Sequence, residues 1–382
     1  MQPTAVNAIL AEVRALQSQG RTLVSLMRGE PDFPTPPHIV AASTRAAQAG
    51  RTGYPDNRGE KALREAVALK LQRDNGLVYD PGTEILVTTG ATFGIYAALM
   101  ALVNEGDEVL LPDPIYDAYQ SPVRLAGGRC RAVASSIERG RFVLTAEALE
   151  AAWTPAAKLL VLNTPWNPVG TVATAPELLA IADFCERRNI LLLTDEIYEA
   201  ITYGDHRHVS PLAVSPALRE RSILVNSLSK TYAMTGWRVG YCAGPAALIQ
   251  AMYLILAQSS RGPATFIQDA AAEALTGPQD CVATMLVEYS RRRDLVLATL
   301  PEAMAPEGGF FAMLDLRHWG LPSHVIRQRL MQDFGVVTVH GAAYGPGGEG
   351  TLRVSFASGG DTLTRGLHQL ATGLQQIGAS RK

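Results

Sequence analysis

Short apolar runs that each stop at a cluster of polar, Gly or Pro residues constrain this chain most. Residues 84–89 (EILVTT) run into Gly90-Ala91-Thr92, and residues 158–162 (KLLVL) run into the segment 163–170. Residues 190–194 (ILLLT) run into Asp195-Glu196-Ile197-Tyr198, and residues 222–225 (SILV) into the segment 226–230. A further apolar run spans 108–111. Amphipathic segments separate these runs. Residues 60–75 place Ala62, Leu63, Ala66, Val67 and Leu71 on one helical face with Gly76 as the stop; residues 92–103 and 176–189 also read as helices, the latter with Pro in its first turn. Strands apolar throughout their length and alternating with helices predict an α/β fold, its sheet mostly parallel and buried on both faces. Near the end, residues 310–316 and 350–356 read as strands around a helix at 325–334, which predicts a smaller α+β domain from about residue 285.

Charge and composition exclude several classes of function. Lys and Arg total 34 and Asp and Glu 36, a net charge of −2 that marks the chain neither for nucleic acid nor for an anionic membrane. With 47% hydrophobic and 18% charged residues over 382 positions, the chain can bury a large core without staples. Cys130, Cys185, Cys242 and Cys281 are scattered without a CxxC pair and read as free thiols. The N-terminal stretch lacks a signal-peptide layout and no apolar run reaches the ~18 residues of a membrane helix, so a cytoplasmic protein is expected. His206 and His208 read as a solvated loop, and no metal site is expected.

Ends of parallel strands share one rim of a sheet, so the four polar clusters can converge on one crevice. A helix start with Gly and Thr, two serines and an arginine (Arg238) make a phosphate cup. A strand-end Asp can pair with a protonated ring nitrogen, and a lysine of lowered pKa can form a Schiff base. A Tyr hydroxyl and an Asn amide can hydrogen-bond a phenolate. Pyridoxal 5′-phosphate asks for all of these partners together.

In order along the chain stand GEPDF (29–33), TPWNPVG (164–170), DEIY (195–198), SLSK (227–230), MTGWRVGY (234–241) and LRVSFAS (352–358). With these motifs the chain resembles the class I/II aminotransferases of pyridoxal-phosphate fold type I, in their prokaryotic aspartate aminotransferase-like branch. The resemblance implies a large cofactor-binding domain over 46–284 and a small domain made of 1–45 plus 285–382. It implies that Lys230 forms the imine and shuttles the proton, and that Asp195 partners the pyridine nitrogen. Asn167 and Tyr198 would donate to the phenolate, and Tyr116 would stack on the ring. Gly90, Ala91, Thr92, Ser227 and Arg238 would form the phosphate cup. The family's homodimers share active sites, which would bring Tyr54 to the neighbouring subunit's phosphate. Arg353 would clamp the substrate α-carboxylate near Gly29.

Three departures bear on the substrate. Thr92 stands where some aspartate-specific relatives carry a lysine for the side-chain carboxylate. Arg28, just before Gly29, and Arg261, in a segment near the neighbouring subunit's site, can each bind such a carboxylate or form a plain ion pair. Trp166 can wall an apolar pocket or pack over the cofactor loop. The expected reaction is ping-pong transfer of an amino group from an L-amino acid to a 2-oxo acid, with 2-oxoglutarate as the acceptor. Elimination from a cysteine-type substrate (a C–S lyase) is the rival reaction. A regulator sensing the cofactor or an amino acid is the rival of another class; the motifs begin at residue 29, leaving no room for the usual DNA-binding domain.

Overall fold

The computed structural model describes residues 5–379. Seven strands form the main sheet: β1 (Ile85–Thr88), β2 (Glu108–Asp113), β3 (Arg129–Ala134), β4 (Ala157–Asn163), β5 (Leu191–Asp195), β6 (Ser222–Ser227) and β7 (Gly240–Ala243). Their spatial order is β1-β7-β6-β5-β4-β2-β3. Only β7 runs antiparallel, wedged between β1 and β6.

Alternate residues of each strand feed two separate apolar layers. Leu86, Val109, Val161, Leu193 and Val225 pack on one face, against the helix Ala91–Leu102. Val87, Leu110, Leu160, Leu192 and Leu224 pack on the other. This doubly covered sheet is the reason the strands read as continuous apolar runs. The helices α2 (Lys61–Asn75), α3 (Ala91–Leu102) and α4 (Ala175–Arg188) fall where the amphipathic segments predict. α2 ends at Gly76 in the left-handed conformation, and α4 starts on a capping box between Thr174 and Glu177.

The antiparallel β7 was not anticipated, because its four residues carry no helix–strand alternation of their own. Its first residue explains the fit: a Cβ on Gly240 would lie 2.8 Å from the Ala91 amide nitrogen and from the Asn226 carbonyl oxygen. Only glycine lets the start of α3 approach the sheet this closely.

A second, three-stranded antiparallel sheet is built from β8 (Phe311–Asp315), β9 (Val339–His340) and β10 (Thr351–Ser355), with β10 in the middle. The helices α5 (Ser323–Phe334) and α6 (Gly360–Ala379) join its core. The N-terminal part of the chain attaches to these C-terminal elements. Residues Val24–Ser25 pair in parallel with Val336–Val337. The helix α1 (Ala5–Ser18) packs Ile9 and Val13 against Met331, Val337 and Val339. Among the described residues no helix is long and apolar enough to cross a membrane.

Candidate active site

The carboxyl ends of β1, β4, β5 and β6, with β10 of the second sheet, border a cavity of about 1070 Å³. At its floor lies Asp195, the last residue of β5, paired in register with Asn163 at the end of β4. Its carboxylate accepts the Tyr119 hydroxyl at 2.7 Å and the Ile197 amide at 3.1 Å. Burial pushes the Asp195 carboxyl up to about 6, against the lowering effect of these two donors. Lys230 follows β6 on the short helical turn Leu228–Thr231 and donates to the Gly29 carbonyl at 2.5 Å. Burial lowers its ammonium to about 8, opposed by the nearby Glu30 carboxylate and reinforced by Arg238. A buried acid and a half-neutral amine thus meet in one crevice, the pairing expected of a site that moves protons.

Ala91 and Thr92 begin α3 and turn its unpaired N-terminal amides toward the cavity. Gly90 caps that helix at φ +85°; a Cβ there would stand 2.7 Å from the Arg238 guanidinium. Glycine is therefore what lets Arg238 close against the helix start. Arg238 is itself anchored by its contact to the Thr235 carbonyl at 2.9 Å. These groups form a cradle for an anion.

Across the cavity, Arg353 projects from β10. It donates to Asn167 Oδ1 at 3.2 Å and to the Met27 carbonyl at 3.1 Å, and its guanidinium lies 4.3 Å from the centre of the Phe311 ring. Its Nε is buried with no partner, a donor left over for a ligand. Tyr198 packs edge-on against Phe310 and Phe311, and Tyr116 edge-on against Tyr119. Arg28 and Gly29 belong to the same wall.

Four expected side chains lie elsewhere. Ser227 does not line the cavity. Its side chain accepts the Ser229 amide as a cap and contacts the Val239 carbonyl at 2.9 Å. Ser229, two residues on, takes the lining position, because the chain turns helical at Leu228. Trp166 is buried in the main core with its indole N–H on the Pro114 carbonyl at 3.0 Å, so it does not wall the pocket. Tyr54 is 89% exposed, and Arg261 lies over its ring at 5.7 Å; neither lines this chain's own cavity. The sequence reading missed Tyr119, which donates to Asp195, and Tyr344 and Phe311, whose rings flank the Arg353 guanidinium. Ser229 alone had a visible signal, in the second serine of SLSK.

His208 also departs from expectation. Its ring is buried, with Nε2 2.7 Å from Glu196. Glu196, Glu199 and His208 lie close enough to share a metal ion. Glu199, however, already accepts from Lys70, Asn75 and Asn226, and Glu196 from Ser210, so their lone pairs are committed to the protein.

An anion cradle, a buried carboxylate, an amine of lowered pKa and a buried guanidinium with a spare donor all fit pyridoxal phosphate together with an amino-acid substrate. Tyr119 gives a direct check of the carboxylate's tuning. Its replacement in Tyr119→Phe removes a donor that lowers the Asp195 pKa. That pKa then rises above about 6 and the carboxylate loses its charge at higher pH. The acid limb of cofactor binding to the cofactor-free protein moves upward by roughly one pH unit; an unmoved limb would show that Asp195 does not control it.

A family described as "Aminotransferase class I and II" matches residues 21–369. The aspartate/prephenate aminotransferase of Cereibacter sphaeroides is 39% identical over 95% of this chain and 94% of its own length. The structure of the aspartate aminotransferase of Thermus thermophilus with maleate is 37% identical, with a TM-score of 0.91 over 98% of this chain and 97% of that one. The aromatic aminotransferase of Pyrococcus horikoshii is 38% identical, with a TM-score of 0.90 over 93% and 96%.

Proposed function

Since this chain belongs to the class I and II aminotransferases, we propose that its cavity takes an L-amino acid donor and, as acceptor, a 2-oxo acid with a second carboxylate, 2-oxoglutarate first among them. Its activity is pyridoxal-phosphate-dependent transfer of an amino group. The observation that carries the substrate reading is the presence of two arginines, Arg353 and Arg28, on one cavity wall with Lys230. Relatives named for aspartate, prephenate and aromatic amino acids support a pocket that handles both charged and apolar side chains.

In this reading Asp195, Lys230, Tyr116, Ser229, Arg238 and the amides of Ala91 and Thr92 hold the cofactor, with Asn167 and Tyr198 as donors to its ring oxygen. Bound there, the cofactor supplies an electron sink for the bond broken at the substrate Cα and stores the amino group between two ping-pong half-reactions. Lys230 takes the proton from that Cα. Its lowered pKa keeps a useful share of the amine neutral near pH 8. Arg353 binds the α-carboxylate and so fixes which bond at Cα faces Lys230. Arg28 reads the distal carboxylate, since it lines the cavity together with Arg353 and Lys230. Tyr54 and Arg261 belong to a homodimer contact in which Tyr54 reaches the partner's phosphate cradle. The division into 46–284 and 1–45 plus 285–382 follows the pairing of the N-terminal segment with the C-terminal residues Val336–Val337; residues 1–4 and 380–382 of it lie outside the described residues. The cytoplasm is the expected compartment.

The test is a panel of amino acids given to the cofactor-loaded protein without acceptor. The expected result is one equivalent of 2-oxo acid per site and no ammonia, with turnover restored by 2-oxoglutarate. Catalytic ammonia release from a cysteine-type substrate would instead assign a lyase.

A further inference from the structure

One pair of charges on the cavity wall is built to come apart. Arg28 and Glu30 form an ion pair at 3.1 Å, with side chains 45% and 47% exposed, and both line the cavity. The backbone beneath them is held fast. Arg353 donates to the Met27 carbonyl, the Ser355 hydroxyl to the Arg28 carbonyl and Lys230 to the Gly29 carbonyl. The Arg28 side chain is therefore the movable part, swinging from a base pinned by the residues assigned to the α-carboxylate and the Cα proton. Glu30 uses Oε1 for Arg28, while its Oε2 accepts the Thr235 hydroxyl at 3.0 Å. If Arg28 leaves, Glu30 keeps a partner and its access to water.

Half-exposed ion pairs hold weakly. A carboxylate delivered into the cavity by a substrate whose other end is already clamped competes strongly for the same guanidinium. We propose that Arg28 exchanges Glu30 for the distal carboxylate of a dicarboxylate substrate and returns to Glu30 when the side chain is neutral. The pair thereby selects between two substrate classes in one pocket. The proposal rests on the reading of Arg28 given above. It explains how a neutral donor binds without leaving a guanidinium unpaired beside it, which would otherwise penalise that donor. It also predicts that removing Arg28 alone leaves Glu30 facing the cavity, where it attracts cationic side chains.

The test uses the cofactor-loaded enzyme and two non-reacting probes, succinate and butyrate, whose ratio of dissociation constants cancels general damage to the site. Glu30→Gln removes the competitor and should tighten succinate relative to butyrate by about two- to fivefold. Arg28→Gln should weaken it by about tenfold. Arg28→Gln should also raise kcat/KM for lysine relative to norleucine severalfold, an increase that the double variant Arg28→Gln/Glu30→Gln should abolish. Unchanged succinate binding in Arg28→Gln would overturn both the exchange and the reading of Arg28. Weakened succinate binding in Arg28→Gln with no tightening in Glu30→Gln would overturn the exchange alone.

Discussion

Lys230→Ala is expected to lower kcat for amino transfer by about 10⁴-fold while the fold survives. Among the described residues Lys230 is the one lysine lining the main cavity, so no second amine stands ready to replace it. Lys70, on α2, is spent on Glu199 and lines a different cavity, of about 260 Å³. Arg28, Arg238 and Arg353 do line the main cavity, but a guanidinium stays protonated and cannot accept the proton from Cα. Burial already works against the charged form of Lys230, as its pKa near 8 shows, so its removal relieves a buried charge. The unfolding midpoint should therefore stay within a few degrees of the parent. Steady-state kinetics and a thermal melt on the same preparation check both halves. Turnover within tenfold of the parent would move the proton-transfer role to another residue.

Asp195→Asn is expected to cost about 10²- to 10³-fold in kcat and to weaken cofactor retention. Asparagine keeps the shape; with its oxygen on the Ile197 amide, its NH2 faces the Tyr119 hydroxyl and can donate to it, so the change removes the charge and reverses one hydrogen bond. In the cofactor-free protein the carboxyl has a pKa near 6, raised by burial, and is anionic above that pH; the variant has no such transition. The acid limb that Tyr119→Phe shifts should therefore be absent in Asp195→Asn. Steady-state kinetics beside equilibrium dialysis of the cofactor across pH measures both effects. A variant that keeps the parental limb would show that the limb belongs to another group.

Most of the fold was legible because a doubly covered sheet leaves a strong mark in one dimension. Each interior strand must be apolar at every position, and each must end where polar residues can meet solvent or ligand. The clusters around Gly90, Asn167, Asp195 and Lys230 could therefore be placed on one rim from their position after such runs. The caps were legible for the same local reason: Gly76 and the Thr174–Glu177 box act within one helical turn.

What escaped the reading is whatever depends on a distant partner. β7 lies antiparallel between β1 and β6 because Gly240 tolerates the approach of Ala91, a residue about 150 positions earlier. Ser227 and Ser229 are equally plausible ligands in sequence, and the helical turn at Leu228 turned the second one inward. Trp166 went to the core because a carbonyl fifty-two residues away met its indole. His208 stays in a loop but turns its ring from solvent to Glu196, and Tyr119 found Asp195 seventy-six residues along the chain. Residue order by itself determined the layers, the rim and the chemical kinds of group gathered there, since these follow from local periodicity and from strand ends. The tertiary structure alone decided which serine, which arginine and which tyrosine face the cavity, because side-chain direction is settled by contacts between segments far apart in the chain.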